Sequence, residues 1–167
     1  MNDSPKITAQ HRIERDDGGR LIYVAIDSQP PLADESNAWL VAIDGSPHSL
    51  RATAEAMRQA ARMKNCALNL VNVQSWLSKE AAEEELLHRG WAATANARAM
   101  LDAAGQPWRL HVAMGEAAEN IAALADRLAC QGIIIGYHGF GVTRTLLLGS
   151  VTQQVAHMSA LPLLVVP

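Results

Sequence analysis

From residue 39 onward, short apolar runs alternate with longer segments whose apolar positions recur every three or four residues. Trp39–Ile43 is continuously apolar and stops at Asp44-Gly45-Ser46, a turn and helix-start signal, with Pro47 suited to the first helical turn. Leu50, Ala54, Met57 and Ala61 then fall on one helical face. Leu68–Val73 predicts a second strand. A helix capped by Ser78 follows, with Glu80, Glu83 and Glu84 at its positive end, Leu87, Trp91 and Leu101 on its buried side and a stop at Gly105. Trp108–Met114 predicts a third strand, and Ile121, Leu124, Ala125 and Leu128 mark a third amphipathic helix. Gly132–Ile135 is a fourth strand, Ser150–Ala160 a short helix and Leu161–Val166 a fifth strand.

Five apolar strands alternating with helices imply right-handed crossovers and an α/β fold: an open, doubly wound parallel sheet in three layers, covered on both faces. Ligands in such sheets bind outside the carboxyl ends of the strands. The loops that matter are therefore 44–47, 73–78, 115–120 and 137–149. Residues 1–38 stand outside this pattern as an N-terminal extension, and 39–167 form the domain. Within the extension, Asp16-Asp17-Gly18-Gly19 is a turn signal before the strand-like Leu21–Ile26, and 28–37, with Pro30 and Pro31, reads as a linker. Two readings stand: a β-hairpin or extra strand packed on the domain or on a second copy, or a mobile tail.

Composition narrows the function. With 14 Lys+Arg against 17 Asp+Glu, interleaved along the 167 residues, a nucleic-acid-binding surface is disfavoured. The 4% aromatic content leaves little for base-stacking platforms. Cys66 and Cys130 form no CxxC and read as buried, reduced thiols, and the six scattered histidines show no helical metal-pair spacing. The polar N-terminus has no apolar signal segment, and no apolar run approaches the roughly 20 residues of a membrane span. A cytoplasmic protein with no membrane partner is expected.

The candidate chemistry lies in the longest loop. Gly136 and Gly139 follow directly on a buried strand, and Gly149-Ser150 opens the last helix, whose free N–H groups and positive dipole end suit an anion, most naturally phosphate. Ser150 and Thr152 add hydroxyls, and Arg144 adds charge. The loop is neither a Walker A motif nor a GxGxxG opening.

The spacing Gly136-x2-Gly139-x9-Gly149-Ser150 resembles the nucleotide-binding signature of the universal stress proteins. LVAIDGSPHSLRA at 40–52 is similar to that family's strand–Asp–Gly–Ser–helix opening, and LLLGSVTQQVAHMSALPLLVV at 146–166 to its last helix and strand. The resemblance covers 39–167. It implies an adenine nucleotide alpha hydrolase-like fold whose five strands run in the order 3-2-1-4-5, and a bound ATP or AMP with Mg²⁺. Ala42, Ile43 and Asp44 would border the adenosine, with Asp44 near the phosphates or the Mg²⁺, and Val73 would meet the adenine edge through its backbone. Gly136, His138 and Gly139 would flank ribose and phosphates, Phe140, Gly141 and Val142 would continue the loop, and Gly149, Ser150, Val151 and Thr152 would hold the phosphate chain. Tyr137 replaces a small residue of the family and would narrow the ribose side. Gln131-Gly132 stands where the family often has an acidic residue, a change expected to affect packing. Trp76 either roofs the nucleotide or closes the core.

For chemistry on a phosphate the candidates are Asp44 and His138, neither with an orienting partner legible in the sequence, and the HxGH and SGGxDS motifs of adenylate-forming relatives are absent. The expectation is a nucleotide-responsive regulatory protein whose 137–149 loop orders on ATP and is read by an unidentified protein partner. Its alternatives are a nucleotide-independent dimeric scaffold and a slow ATPase. In both the regulatory and the scaffold readings, Leu161–Val166 would pair with a second copy as an edge strand, giving a homodimer.

Overall fold

In a computed structural model of the chain, which describes residues 4–33, 37–138 and 147–167, the predicted alternation is realised. Strands β1 (Arg12–Arg15) and β2 (Leu21–Asp27) precede β3 (Asn37–Ala42), α1 (Pro47–Arg62), β4 (Cys66–Gln74), α2 (Lys79–Ala93) and α3 (Ala95–Ala103). Then follow β5 (Trp108–Met114), α4 (Ala117–Arg127), β6 (Gly132–Gly136), α5 (Ser150–Met158) and β7 (Leu163–Val166). One sheet has the order β1-β2-β5-β4-β3-β6-β7. Its parallel part, β5-β4-β3-β6-β7, is the expected 3-2-1-4-5 arrangement, and the two N-terminal strands enlarge the sheet from five to seven.

Alternating side chains divide the core into two layers. Val41, Leu70 and Leu110 face α1, α2 and α3, with Ala52, Ala56, Leu86 and Leu101 packed against them. Leu40, Val71 and Ala113 face the other way, under Ile121 and Leu124 of α4 and Val155 of α5. The small helix residues let the helices lie close to the branched sheet side chains, the arrangement that a doubly covered parallel sheet requires. Gly90 of α2 is one such approach: a Cβ there would lie 2.5 Å from both methyls of Val112.

The N-terminal segment forms a hairpin, its turn fixed by Asp16, whose carboxylate accepts from the Gly18 and Arg20 amides. β2 pairs antiparallel with β5, from Tyr23↔Ala113 to Asp27↔Arg109. Side chains fasten it on both faces. Arg15 pairs with Glu83 of α2 at 2.7 Å, Lys79 donates to the Gly18 carbonyl, and Glu14 pairs with Arg127 of α4. Beneath them, the buried His111 imidazole lies between the Tyr23 hydroxyl at 2.6 Å and the Asn69 side-chain oxygen at 2.9 Å, joining β2, β5 and β4.

The single helix expected between Ser78 and Gly105 is two. Ser78 does cap α2 by accepting from the Ala81 amide. At Thr94, however, the hydroxyl donates to the Gly90 carbonyl, and the Arg98 guanidinium donates to the Trp91 carbonyl at 2.7 Å. These side chains satisfy carbonyls that would otherwise be exposed at the helix end, so the chain can turn there and restart. Both cysteines are free thiols; burial pushes Cys130 up to about 11 and raises Cys66. Among the described residues, no helix is long and apolar enough to cross a membrane.

Candidate functional site

At the carboxyl ends of β3, β4 and β6 lies a cavity of about 310 Å³. Ala42, Ile43 and Asp44 form one wall at the end of β3 and Val73 another at the end of β4. Gly136 and His138 contribute from the end of β6, and Gly149, Ser150, Val151 and Thr152 from the start of α5. The fold thus gathers ten of the expected site residues around one space. Gly139, Phe140, Gly141 and Val142, together with Arg144, lie outside the described residues.

The β3 end is shaped by a chain of local bonds. The Asp44 carboxylate accepts from the Ser46 amide at 2.9 Å, a turn that Gly45 completes with φ +86°. Ser46 then caps α1 by accepting from the Ser49 amide, and the Ser49 hydroxyl donates back to the Ser46 carbonyl. This leaves the Asp44 side chain exposed at the cavity rim. Asn72, buried in β4, donates to the Ile43 carbonyl at 2.9 Å and accepts from Gln74, which fixes the β3–β4 junction beneath the cavity.

Across the space, no side chain among the described residues caps the first turn of α5. The Gly149 amide donates to the Tyr137 carbonyl at 2.9 Å, and the Thr152 hydroxyl donates to the Gly136 carbonyl at 2.8 Å. The buried Thr152 hydroxyl therefore anchors the helix to β6, while Ser150 is exposed. The early amides of α5 remain as donors at the positive end of the helix, facing a cavity whose other walls are largely aliphatic: Ala42, Val71, Ile121 and Ile135.

Both glycines owe their identity to neighbouring protein atoms. A Cβ at Gly136 would lie 2.8 Å from the His48 carbonyl carbon and 2.9 Å from its oxygen, so this glycine admits α1. A Cβ at Gly149 would lie 3.1 Å from the His138 Cα and 3.2 Å from the Tyr137 carbonyl. Replacing Gly149 would require the strand–helix junction to give by a few tenths of an ångström.

The histidines cluster behind the rim. His48 and His138 meet edge-on with centroids 5.4 Å apart, and Tyr137 packs edge-on against His138 at 4.5 Å. Burial holds the His48 imidazole below its ordinary pKa, helped by the Arg51 guanidinium 3.0 Å away and by His138, against a smaller pull from Asp44. Tyr137 itself is not among the residues lining the cavity. Trp76 neither roofs the cavity nor closes the core. It is 58% exposed, with the Arg20 guanidinium 5.1 Å from its ring and Gly115 against its edge. Gly132 serves packing: a Cβ there would lie 2.4 Å from the Trp39 ring.

Ser49, Val71, Asn72, Ala117, Ile121 and Ile135 complete the lining and were not singled out from the sequence. Asn72 carried a signal, a polar residue inside an otherwise apolar strand. Ala117 and Ile121 reach the cavity because the loop after β5 turns α4 over the sheet, a tertiary placement with no local signature.

Comparison with known proteins agrees with this fold. The sequence model of the universal stress protein family matches residues 37–167. Among curated proteins none is significantly similar. Similar solved structures include a universal stress protein in complex with cAMP, 24% identical with TM-score 0.60, covering 78% of this chain and 97% of its own. A second is the Archaeoglobus fulgidus universal stress protein in complex with dAMP, 19% identical with TM-score 0.62, covering 78% and 98%. A third is an Arabidopsis thaliana universal stress protein family member with AMP bound, 15% identical with TM-score 0.56, covering 78% and 90%. With this fold, this strand order and a family match over most of its length, the chain belongs to the universal stress protein family.

Proposed function

We propose that the cavity binds an adenine nucleotide, ATP or AMP, and that the protein acts as a nucleotide-responsive regulator in a stress response. The observation that carries this reading is the convergence of an uncapped helix start, an exposed carboxylate and aliphatic walls on one space at the carboxyl ends of the parallel strands. Family members described with cAMP, dAMP or AMP support the same ligand class. In this reading the adenine lies against Val71, Val73 and Ile121, with the backbone at Val73 meeting its edge. Gly136 and His138 flank the ribose and phosphates, and the first amides of α5 with the Ser150 hydroxyl hold the phosphates. Asp44 fits an Mg²⁺ that also takes phosphate oxygens: such ions are commonly held by one or two carboxylates plus the nucleotide. Among the described residues no group of three metal-ligating side chains exists, so the phosphates would have to supply the remaining ligands.

Calorimetric titration with ATP and AMP, with and without Mg²⁺, tests the reading; one saturable site is expected. Gly149→Val is a poor probe, since its side chain meets the strand end before any ligand. Ser150→Glu is the sharper variant. It places a negative charge in the first turn of α5, where the helix dipole favours it, so folding is retained while a phosphate is repelled. ATP affinity should fall by about tenfold or more, equivalent to about 1.4 kcal/mol. Wild-type affinity in that variant would overturn the phosphate placement.

A second copy pairing along β7 belongs to the same proposal. Leu163, Leu164, Val165 and Val166 form an edge strand, and all four are only half-buried, an apolar edge of the kind that proteins cover. Sedimentation should give a dimer at micromolar concentration, and Val165→Lys a monomer.

A further inference from the structure

At the opposite end of the sheet, where β5 begins and β2 ends, lies a second cavity of about 280 Å³. Trp91 and Trp108, with Pro30 and Pro107, give it an apolar wall. Its rim is built by Ser28, whose hydroxyl accepts from the Trp108 amide and donates to the Pro30 carbonyl. Two charges from α3 enter it. Arg98 is only 8% exposed, with its guanidinium stacked 3.3 Å from the centre of the Trp91 ring and 5.9 Å from that of Trp108. Asp102, one helical turn further on, is exposed, and one of its oxygens accepts from the Trp108 indole N–H at 2.7 Å.

These two groups form no ion pair with each other, and among the described residues Arg98 forms none at all. Its guanidinium donates to the Trp91 carbonyl and the Thr94 hydroxyl, which uses two of five N–H donors. A guanidinium buried without a hydrogen-bonded carboxylate is costly, and stacking on indole together with the more distant Asp102 charge offsets only part of that cost. Burial lowers Arg98 to about 10, against a smaller opposing pull from the Asp102 carboxylate. A simple anion here would face the carboxylates of Asp102 and Asp27, although Asp27 is held by Arg109 at 2.5 and 3.1 Å. A simple cation would face Arg98. Only a ligand carrying both charges satisfies the two walls together.

We propose that this cavity is a second ligand site that takes a small zwitterion of the α-amino acid class, its carboxylate on Arg98, its ammonium on Asp102 and its side chain along the tryptophan–proline wall. The volume is at the small end of ligand cavities, which favours a free amino acid over a peptide. The site is independent of the nucleotide cavity, which lies at the other end of the parallel strands.

The full chain, labelled with ¹⁵N, is titrated with leucine and phenylalanine while the indole N–H resonances of its four tryptophans are followed. Trp91 and Trp108 should shift and saturate by about 10 mM, with Trp39 and Trp76 unmoved. N-acetyl-leucine, which lacks the ammonium, and leucinamide, which lacks the carboxylate, should each bind about tenfold more weakly or worse. Removing Arg98 would also uncap α2, so the informative variant is Asp102→Asn, which keeps an acceptor for Trp108. It should lose about tenfold in leucine affinity while ATP affinity stays at the wild-type value. The proposal is overturned if neither amino acid moves Trp91 or Trp108, if N-acetyl-leucine binds as well as leucine, or if Asp102→Asn leaves leucine affinity unchanged.

Discussion

The sheet is held together differently on its two sides. Around β3, β6 and β7 the strands are parallel and aliphatic, and fit depends on missing side chains: Gly132 admits the Trp39 ring and Gly136 the backbone of His48. Around β2 and β5 the strands are antiparallel and cross-linked by buried polar groups, with His111 between Tyr23 and Asn69 and Arg109 against Asp27. The first side depends on shape, with the depressed His48 imidazole at its rim adding only a small response to acid. The second depends on protonation state and on every polar partner being present. Shape at one edge positions the cavity at the carboxyl ends of the strands, and the polar network at the other attaches a segment that lies outside the family match.

Acid should separate the two sides most strongly. Burial, with lesser contributions from Arg109, Arg127 and Arg12, lowers His111 to about 3. The ordinary histidine value is about 6.5, so the unfolded chain takes up this proton first. The His111 contribution is therefore complete above pH ~6.5 and is lost as pH falls toward ~3, at up to about 1.4 kcal/mol per pH unit. Denaturant midpoints should show a loss approaching about 3 kcal/mol between pH 7 and 4, which His111→Gln should largely remove. An equal slope in the variant would mean that carboxylates elsewhere govern acid unfolding.

The shape-dependent side is probed by Gly136→Ala. The new methyl would press on the backbone of α1, which has no flexible end to swing aside, and overpacking of this kind costs about 2 kcal/mol. In a His48→Gln background, which removes the imidazole of the residue that the new methyl presses on, the loss should be the same at pH 7 and pH 5. A loss that grows with acidity would show the two sides to be coupled.

The same division governs what the sequence reveals. The parallel, aliphatic side was legible because its strands are continuous apolar runs; the Gly132–Ile135 run falls one residue short of β6. The ten expected residues that line the cavity were legible as a set through the resemblance carried by the glycine spacing and the first and last strands, whereas strand ends alone gave only the loops. The break at Thr94 was not, since it depends on Thr94 and Arg98 side chains reaching back to α2 carbonyls within a pattern that reads as one amphipathic run. Nor was the docking of β2 on β5 in antiparallel sense, since a hairpin's turn signal says nothing of its tertiary neighbour. Asn69 and His111 were visible as polar residues in apolar strands, but only pairing shows that they face one another.

Two smaller perturbations sharpen the polar side. Tyr23→Phe removes the donor at 2.6 Å and leaves the His111 ring nitrogen without that bond in a buried site, at a cost of about 1.5 kcal/mol. Because the variant still buries His111, it should keep the acid-sensitive slope and lower the whole curve, which distinguishes loss of a hydrogen bond from loss of the titrating group. At the surface end of the same attachment, Glu14 and Arg127 are each about half exposed, at 47% and 49%. Solvent screens such a pair, so Glu14→Gln should cost about 0.5 kcal/mol or less, and less still at high salt. Arg127 also lies 4.8 Å from the Tyr23 ring. Arg127→Gln should therefore cost slightly more than Glu14→Gln, and the difference should persist at high salt, as expected for packing against an aromatic face. Equal effects of the two variants would mean that the hairpin is held on this face by the ion pair alone.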